Sequence, residues 1–342
     1  MSKPLKSIVG MALLSAALLP APSHATEDAA QFFSGKTVRL ILGTGAGGAY
    51  GAYAILFSEY FSKHIPGNPS VVPEFRPGAG GVTAANYLYN AALKDGTMLG
   101  MPMAPVVLAQ LTAPSIQYDA SKFNWIGQLA GLTRLIAVWN TSPVKTFDDL
   151  KTHETIAGDS GRGSETYINP AVINSLFGTK IKLVGGYTGS NGVMLALERG
   201  EVSLASGTWA NFAENHPDWI RDHKVRFLVQ IGSKKLAGYQ DLPLLSDLAK
   251  DDDDRQVIEF MSLITQSVGY SIMAPPGVPS DRIGLLRTAF DATVKDRGFL
   301  DSARKCCVDL APEPYTIVEQ AVEKAVNSPQ SILDRFMRAS NP

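Results

Sequence analysis

Three glycines, Gly43, Gly45 and Gly48, punctuate the run Leu42-Gly43-Thr44-Gly45-Ala46-Gly47-Gly48-Ala49. Glycine lets a backbone turn sharply and leaves amide N–H groups facing outward. Ahead of a helix those amides sit beside the positive end of the helix dipole, which is a ready anion site. The same glycines fit G-x-G-x-x-G, the dinucleotide fingerprint. The best candidate for the ribose-binding acid, Glu74, comes later than the usual spacing and directly after Pro73. The loop is therefore read as an anion cradle, with a nucleotide-dependent oxidoreductase as the alternative.

A second polar loop, Asp159-Ser160-Gly161-Arg162-Gly163-Ser164-Glu165, also lies between a strand-like and a helix-like stretch. Gly158-Asp159-Ser160-Gly161 resembles the nucleophile segment of trypsin-like proteases, which makes a serine hydrolase using Ser160 a second alternative. That protease fold is all-β, and one serine motif makes no triad, whose roles are fixed by geometry. Read as a binding loop, Arg162 pairs bidentately with a carboxylate while Ser160, Ser164 and neighbouring amides complete its hydrogen bonds. Two anion-ready loops point to a cleft.

Other reactive residues carry less. His216 and His223 are seven apart with no third metal ligand in view, and no H-E-x-x-H or Cys/His cluster occurs. His64 and His153 read as surface positions. Cys306 and Cys307 are adjacent, so a disulfide between them would be strained, and they read as packed thiols. The four acids from Asp251 to Asp254 read as a solvated helix start favoured by the dipole.

The N-terminus has the three parts of a secretory signal: Lys3 and Lys6, an apolar run from Ile8 to Leu19, and the small residues Ser23 and Ala25. The run is about 12 residues where a membrane-spanning helix needs about 20, so cleavage after Ala25 is expected, and no cysteine near the cut offers a lipid anchor. Export also counts against a nicotinamide cofactor, which is scarce outside the cytoplasm. The chain that remains after such a cut is still longer than one hydrophobic core usually serves, so two domains are expected. The net charge of −1 gives no sign of a nucleic-acid or membrane partner.

These motifs must be held by a regular frame. Residues 38–42 read as a buried strand, 50–64 as a helix, 70–75 as a strand and 83–92 as a helix, a βαβα order that places helices on both faces of a sheet. The pattern restarts at residues 133–139, with strands expected at 155–157, 180–184, 202–205 and 225–231. An apolar run at 262–273 ends at Ala274-Pro275-Pro276-Gly277-Val278-Pro279. Beyond it only helices are read, at 281–295 and 316–325, and this last segment is expected to pack back on the first domain.

Short motifs in fixed order then carry a likeness: Ala46-Gly47-Gly48, Arg76-Pro77-Gly78-Ala79-Gly80-Gly81, Lys94-Asp95-Gly96-Thr97, Gly186-Tyr187-Thr188-Gly189, Leu197-Glu198-Arg199-Gly200-Glu201-Val202 and the Ala274 to Pro279 stretch. Over nearly all of the mature chain the sequence resembles the substrate-binding proteins of tripartite tricarboxylate transporters, the Bug or TctC family. The resemblance implies an α/β, two-lobed type II periplasmic-binding-protein-like (Venus flytrap) fold with two hinge-crossing strands, near residues 130–138 and 262–273. The first lobe would comprise residues 26–133 and 264–342, and the second lobe residues 134–263. The resemblance further implies a periplasmic, monomeric, non-enzymatic solute-binding protein that needs no cofactor or metal. Its partners would be a small organic acid, a di- or tricarboxylate or an aromatic acid, and the membrane permease subunits of a tripartite transporter.

In the family a ligand carboxylate is held by backbone amides and ordered water in the first loop, which here is Thr44, Gly45, Ala46, Gly47, Gly48 and Ala49. Lobe closure would bring up Ser160, Arg162, Gly163, Ser164, Tyr187 and Trp209. Where many members continue the first loop with glycine, threonine and aspartate, this chain has Ala49, Tyr50 and Gly51, so recognition of a ligand amino group is not implied. Arg162 and Glu165 stand where small polar residues are common. An arginine with a stacking aromatic such as Trp209 would suit an aromatic or amphipathic carboxylate.

Overall fold

Apolar residues on both sides of the first strand mark it as interior to a sheet covered on two faces. The computed structural model describes residues 29–341 apart from 47–48, 113–115, 163, 214 and 307. The expected signal over residues 1–25 lies outside these, as do Gly47, Gly48, Gly163 and Cys307. After α1 (Ala29–Phe32), β1 (Thr37–Leu42) buries Val38, Leu40, Ile41 and Leu42. It leads into α2 (Ala49–His64), whose Tyr53, Phe57 and Phe61 recur at every fourth position and make one buried stripe. The lobe continues through β2 (Ser70–Phe75), α3 (Val82–Asn90), β3 (Met98–Met101), α4 (Pro105–Thr112) and β4 (Asn124–Gln128).

The chain then leaves for a second sheet. Its elements are β5 (Arg134–Trp139), β6 (Thr155–Gly158), α5 (Glu165–Phe177), β7 (Ile181–Val184), α6 (Gly189–Glu198), β8 (Leu204–Thr208), α7 (Trp209–Ala213), α8 (Pro217–Arg221) and β9 (Val225–Ile231). It returns through α9 (Asp252–Val268) to β10 (Ser271–Ala274). There follow α10 (Ser280–Thr293), α11 (Arg297–Lys305), the short β11 (Glu313–Pro314), α12 (Tyr315–Val326) and α13 (Gln330–Ser340).

The first sheet has the order β11-β4-β10-β3-β1-β2 and the second β7-β6-β8-β5-β9. In the first, β1 runs parallel to β2 and β3, and the returning β10 enters antiparallel between β3 and β4. In the second, β6 is parallel to β7 and β8 while β5 is antiparallel to β8 and β9. Because β10 sits inside the first sheet, that lobe cannot be completed until the second has been made. The α/β fold is thus two mixed sheets, each flanked by helices, joined where the chain crosses twice.

At the crossings Leu129 N donates to Tyr270 O and Tyr270 N to Ala130 O, both at 2.9 Å. The apolar run expected to supply a crossing strand at 262–273 is split. The part up to Val268 finishes α9, with Ile264 and Val268 buried at helical spacing, and extended structure begins only at Ser271. The boundary expected at 263/264 therefore falls inside one helix. The last segment also divides: α10 packs on α2 and β4, and α12 on β4 and α9, whereas α13 reaches across to α5 of the second lobe. One apolar cluster consequently runs between the lobes, from Trp125 and Val322 through Ile258, Ile264 and Phe336 to Val172 and Leu204.

Asp251 caps α9 by accepting from Asp254 N at 2.8 Å, as expected of an acidic helix start. The acids also hold α13: its Arg335 donates to Asp254 at 2.6 Å and to Asp253 at 3.1 Å, and Asp254 is only 4 % exposed. Arg335→Ala leaves that buried carboxylate without its cation. We expect a loss of about 1–3 kcal/mol of stability at neutral pH, read from urea unfolding; an unchanged midpoint would show that α13 is held by its apolar face alone.

Candidate functional site

The carboxyl ends of the strands in both sheets face a common cleft of about 850 Å³ between the lobes. This is where ligands sit in open α/β sheets, because the loops there start helices whose amides point outward. Five helix starts reach the cleft, with one residue of a sixth, short helix beside them. Ala49 and Tyr50 of α2, Val82 of α3 and Pro105 of α4 come from the first lobe. Glu165 and Thr166 of α5, Gly189 and Ser190 of α6, and Asn211 of the short α7 come from the second. Each full helix start carries roughly half a positive charge, so the space between them favours an anion.

The first loop is shaped by close approach. A Cβ on Gly43 would stand 2.5 Å from Gly81 Cα, and Gly81 itself has φ of 98°, so the loops after β1 and β2 pass backbone against backbone. Thr44 and Ala49 line the cleft; Gly45 and Ala46 are exposed beside it and are not among its lining residues. Tyr50 is fixed at both ends of its hydroxyl, which donates to Gly269 O and accepts from Ala104 N, both at 3.3 Å, tying the start of α2 to the crossing. Burial pushes the Tyr50 phenol up to about 12, so it keeps its proton at any physiological pH.

The second loop is knitted by its own side chains. Asp159 Oδ1 accepts from Gly161 N at 2.9 Å, Ser160 N donates to Thr166 Oγ1 at 3.0 Å, and Ser164 Oγ donates to Gly161 O at 2.6 Å. Ser160, Arg162 and Ser164 all line the cleft. Arg162 is exposed, with its guanidinium 5.9 Å from the centre of the Tyr167 ring. The hydroxyl of Ser160 faces Thr166 Oγ1 at 3.1 Å. Among the described residues no histidine lines the cleft: His64 meets Asp296 at 2.9 Å, His153 bonds Thr152, and His216 stacks on Trp219. Nor does any group of three or more His, Cys, Asp or Glu among them form a metal site. Glu74, the candidate ribose acid, is engaged by Arg39 and Arg76.

Two of the expected residues stand elsewhere. Trp209 packs its ring against Tyr239 at 5.2 Å and Phe227 at 6.2 Å, because it begins α7 on the side facing β9. Tyr187 lies over Gly158 and Gly192 against the second lobe's core. Neither is among the cleft-lining residues.

The charged pair at the base of the cleft is one that the loops did not foretell. Arg134, first residue of β5, is 7 % exposed and pairs through Nη2 with Glu165, first residue of α5. Its Nε has no hydrogen-bond partner among the described residues. Burial lowers its pKa to about 10, opposed by the nearby Tyr50 and Tyr270 phenols, so it remains a cation at neutral pH. The visible signal was an arginine opening an otherwise apolar strand, Arg134-Leu135-Ile136-Ala137-Val138-Trp139.

A cleft of this construction, between two α/β lobes crossed twice by the chain, has counterparts among known proteins. The family described as the tripartite tricarboxylate transporter family receptor, TctC, matches residues 61–335. The chain belongs to that family. The UPF0065 protein in gbd 5'region of Cupriavidus necator is 28 % identical over 321 residues, covering 90 % of this chain and 87 % of that one. Among solved structures, R. palustris Rpa4515 with adipate superposes with a TM-score of 0.66 at 20 % identity, over 88 % of this chain and 97 % of the other. MatC from Rhodopseudomonas palustris with bound malate gives 0.63 at 20 %, over 90 % and 99 %. At such identities the structural likeness speaks for the fold, and the fold is that of the TctC receptors. As a TctC-family receptor the chain is a solute-binding protein, and among its described residues no helix is long and apolar enough to cross a membrane.

The close passage at Gly43 gives a paired test. Gly43→Ala must push two backbones apart and is expected to cost about 1–3 kcal/mol, whereas Gly45→Ala, with nothing within 4 Å of its Cβ, should stay within about 0.5 kcal/mol of the parent. Equal losses by chemical denaturation would show that the loop is free to move.

Proposed function

We propose that this TctC-family protein is a periplasmic receptor that captures a small organic carboxylate between its lobes and presents it to the permease subunits of a tripartite transporter. The observation that carries the reading is the convergence of helix starts from both lobes on one cleft that also holds, among its described residues, two arginines and a single glutamate. A carboxylate drawn there first meets the first loop at Thr44 and Ala49. Ser160, Arg162 and Ser164 then close on it from the second lobe. Family membership supports the transport role, the secretory pattern ending at Ala25 supports the location, and adipate and malate in related structures support the ligand class.

Capture needs no bond to be made or broken. The ligand binds the closed arrangement better than the open one and shifts the population toward it, and the closed form is what a permease can recognise. Ser160 faces Thr166 with no histidine base among the described cleft residues, which favours a binding role over a nucleophilic one.

A panel of short aliphatic and aromatic acids, read by thermal shift and calorimetry, tests this. At one hundred times its dissociation constant a true ligand stabilises the protein by about 2.7 kcal/mol. Absence of any shift or heat across mono-, di- and tricarboxylates would contradict the reading.

A further inference from the structure

The cleft contains a carboxylate of its own. Glu165 begins α5, where the helix dipole favours its charge, and its side chain lies on the Arg134 guanidinium. Both residues line the cleft, with side chains only 17 % and 9 % exposed. Arg134 therefore meets the ligand already neutralised. Pro105, Leu108 and Ile168 stand beside Glu165, and the cleft is lined besides by the apolar Ala109 and Ile116 and the neutral Ser190, Asn191, Thr208 and Asn211.

We propose that Glu165 is the specificity determinant of this receptor: by occupying Arg134 from within, it restricts the ligand to one carboxylate and sets the far end as apolar or neutral and hydrogen-bonding. The inference rests on the organic-acid reading above and narrows it. A second ligand carboxylate entering near Arg134 would stand beside Glu165, a like charge, at a guanidinium whose Nη2 is already taken. Arg162, exposed at the mouth, and the helix starts leave the cleft with the charge to take one anion. An aliphatic or aromatic body fits the apolar wall, and a hydroxyl or amide at its far end finds partners among the serine, threonine and asparagine side chains.

The test compares acids of similar length that differ at the far end, such as 6-hydroxyhexanoate against hexanedioate and 4-(hydroxymethyl)benzoate against benzene-1,4-dicarboxylate. They are titrated into the full protein and into Glu165→Gln, with thermal unfolding as the check that the variant folds. The parent should favour the monocarboxylate at least tenfold. Glu165→Gln frees Arg134 while keeping the side chain's shape, and should move the ratio at least tenfold toward the dicarboxylate. Adding Arg134→Gln to Glu165→Gln should abolish that gain, which a merely structural role for the pair would not produce. A parent that prefers the dicarboxylate, or a ratio unmoved by Glu165→Gln, overturns the proposal while leaving the receptor reading intact. Failure of every acid to bind the parent overturns both.

Discussion

Two backbone hydrogen bonds, Leu129 N to Tyr270 O and Tyr270 N to Ala130 O, join the two passages of the chain between the sheets. The position of every group in the cleft depends on that junction. The closeness is possible because residue 269 is glycine: a Cβ there would lie 2.3 Å from Ala130 O. Gln128 and Gln266 brace the same place, Gln128 Nε2 donating to Gln266 O at 2.8 Å and Gln266 Oε1 accepting from Ser233. Tyr50 extends the brace into the first loop through Gly269 O. With the crossings fixed, the carboxyl ends of the parallel strands on each side have only one space to face.

The electrostatics of that space follow from topology more than from composition. The chain is nearly neutral, yet the first turns of helices α2 to α6 border one volume, and a field made of backbone dipoles needs no excess of basic residues. Against that background a single buried ion pair has a large effect. Arg134 would otherwise add a full positive charge at the floor of the cleft, and Glu165 removes it. The sheets supply the receptor's preference for anions, whereas two side chains from different elements tune how much negative charge it accepts.

What the sequence disclosed was local. The glycine loop after β1, the knitted loop after β6 and the strands at 38–42, 70–75 and 225–231 announce themselves through neighbouring residues, and motif order was enough for the family. The short β3 and β4 went unread because Met98–Met101 and Asn124–Gln128 carry no alternation to distinguish a buried strand from any other apolar stretch. The crossing strand that the resemblance implied near 262–273 begins only at Ser271, because the apolar run is helical up to Val268. Trp209 was expected over the ligand, but the rings that hold it, Phe227 and Tyr239, come from β9 and the loop beyond it, well downstream of its own segment. Arg134 and Glu165 stayed invisible as a pair for the same reason: each stands out only within its own segment, and the fold alone brings them together.

If one small anion is held by helix starts of both lobes at once, its binding must protect the loops of both lobes together. Hydrogen–deuterium exchange of the protein with and without a carboxylate shown to bind one-to-one tests this directly. Amides at 44–51 in the first lobe and at 160–168 and 188–192 in the second should gain protection in concert. Protection confined to one lobe, or placed away from these loops while the acid is bound, would contradict the account.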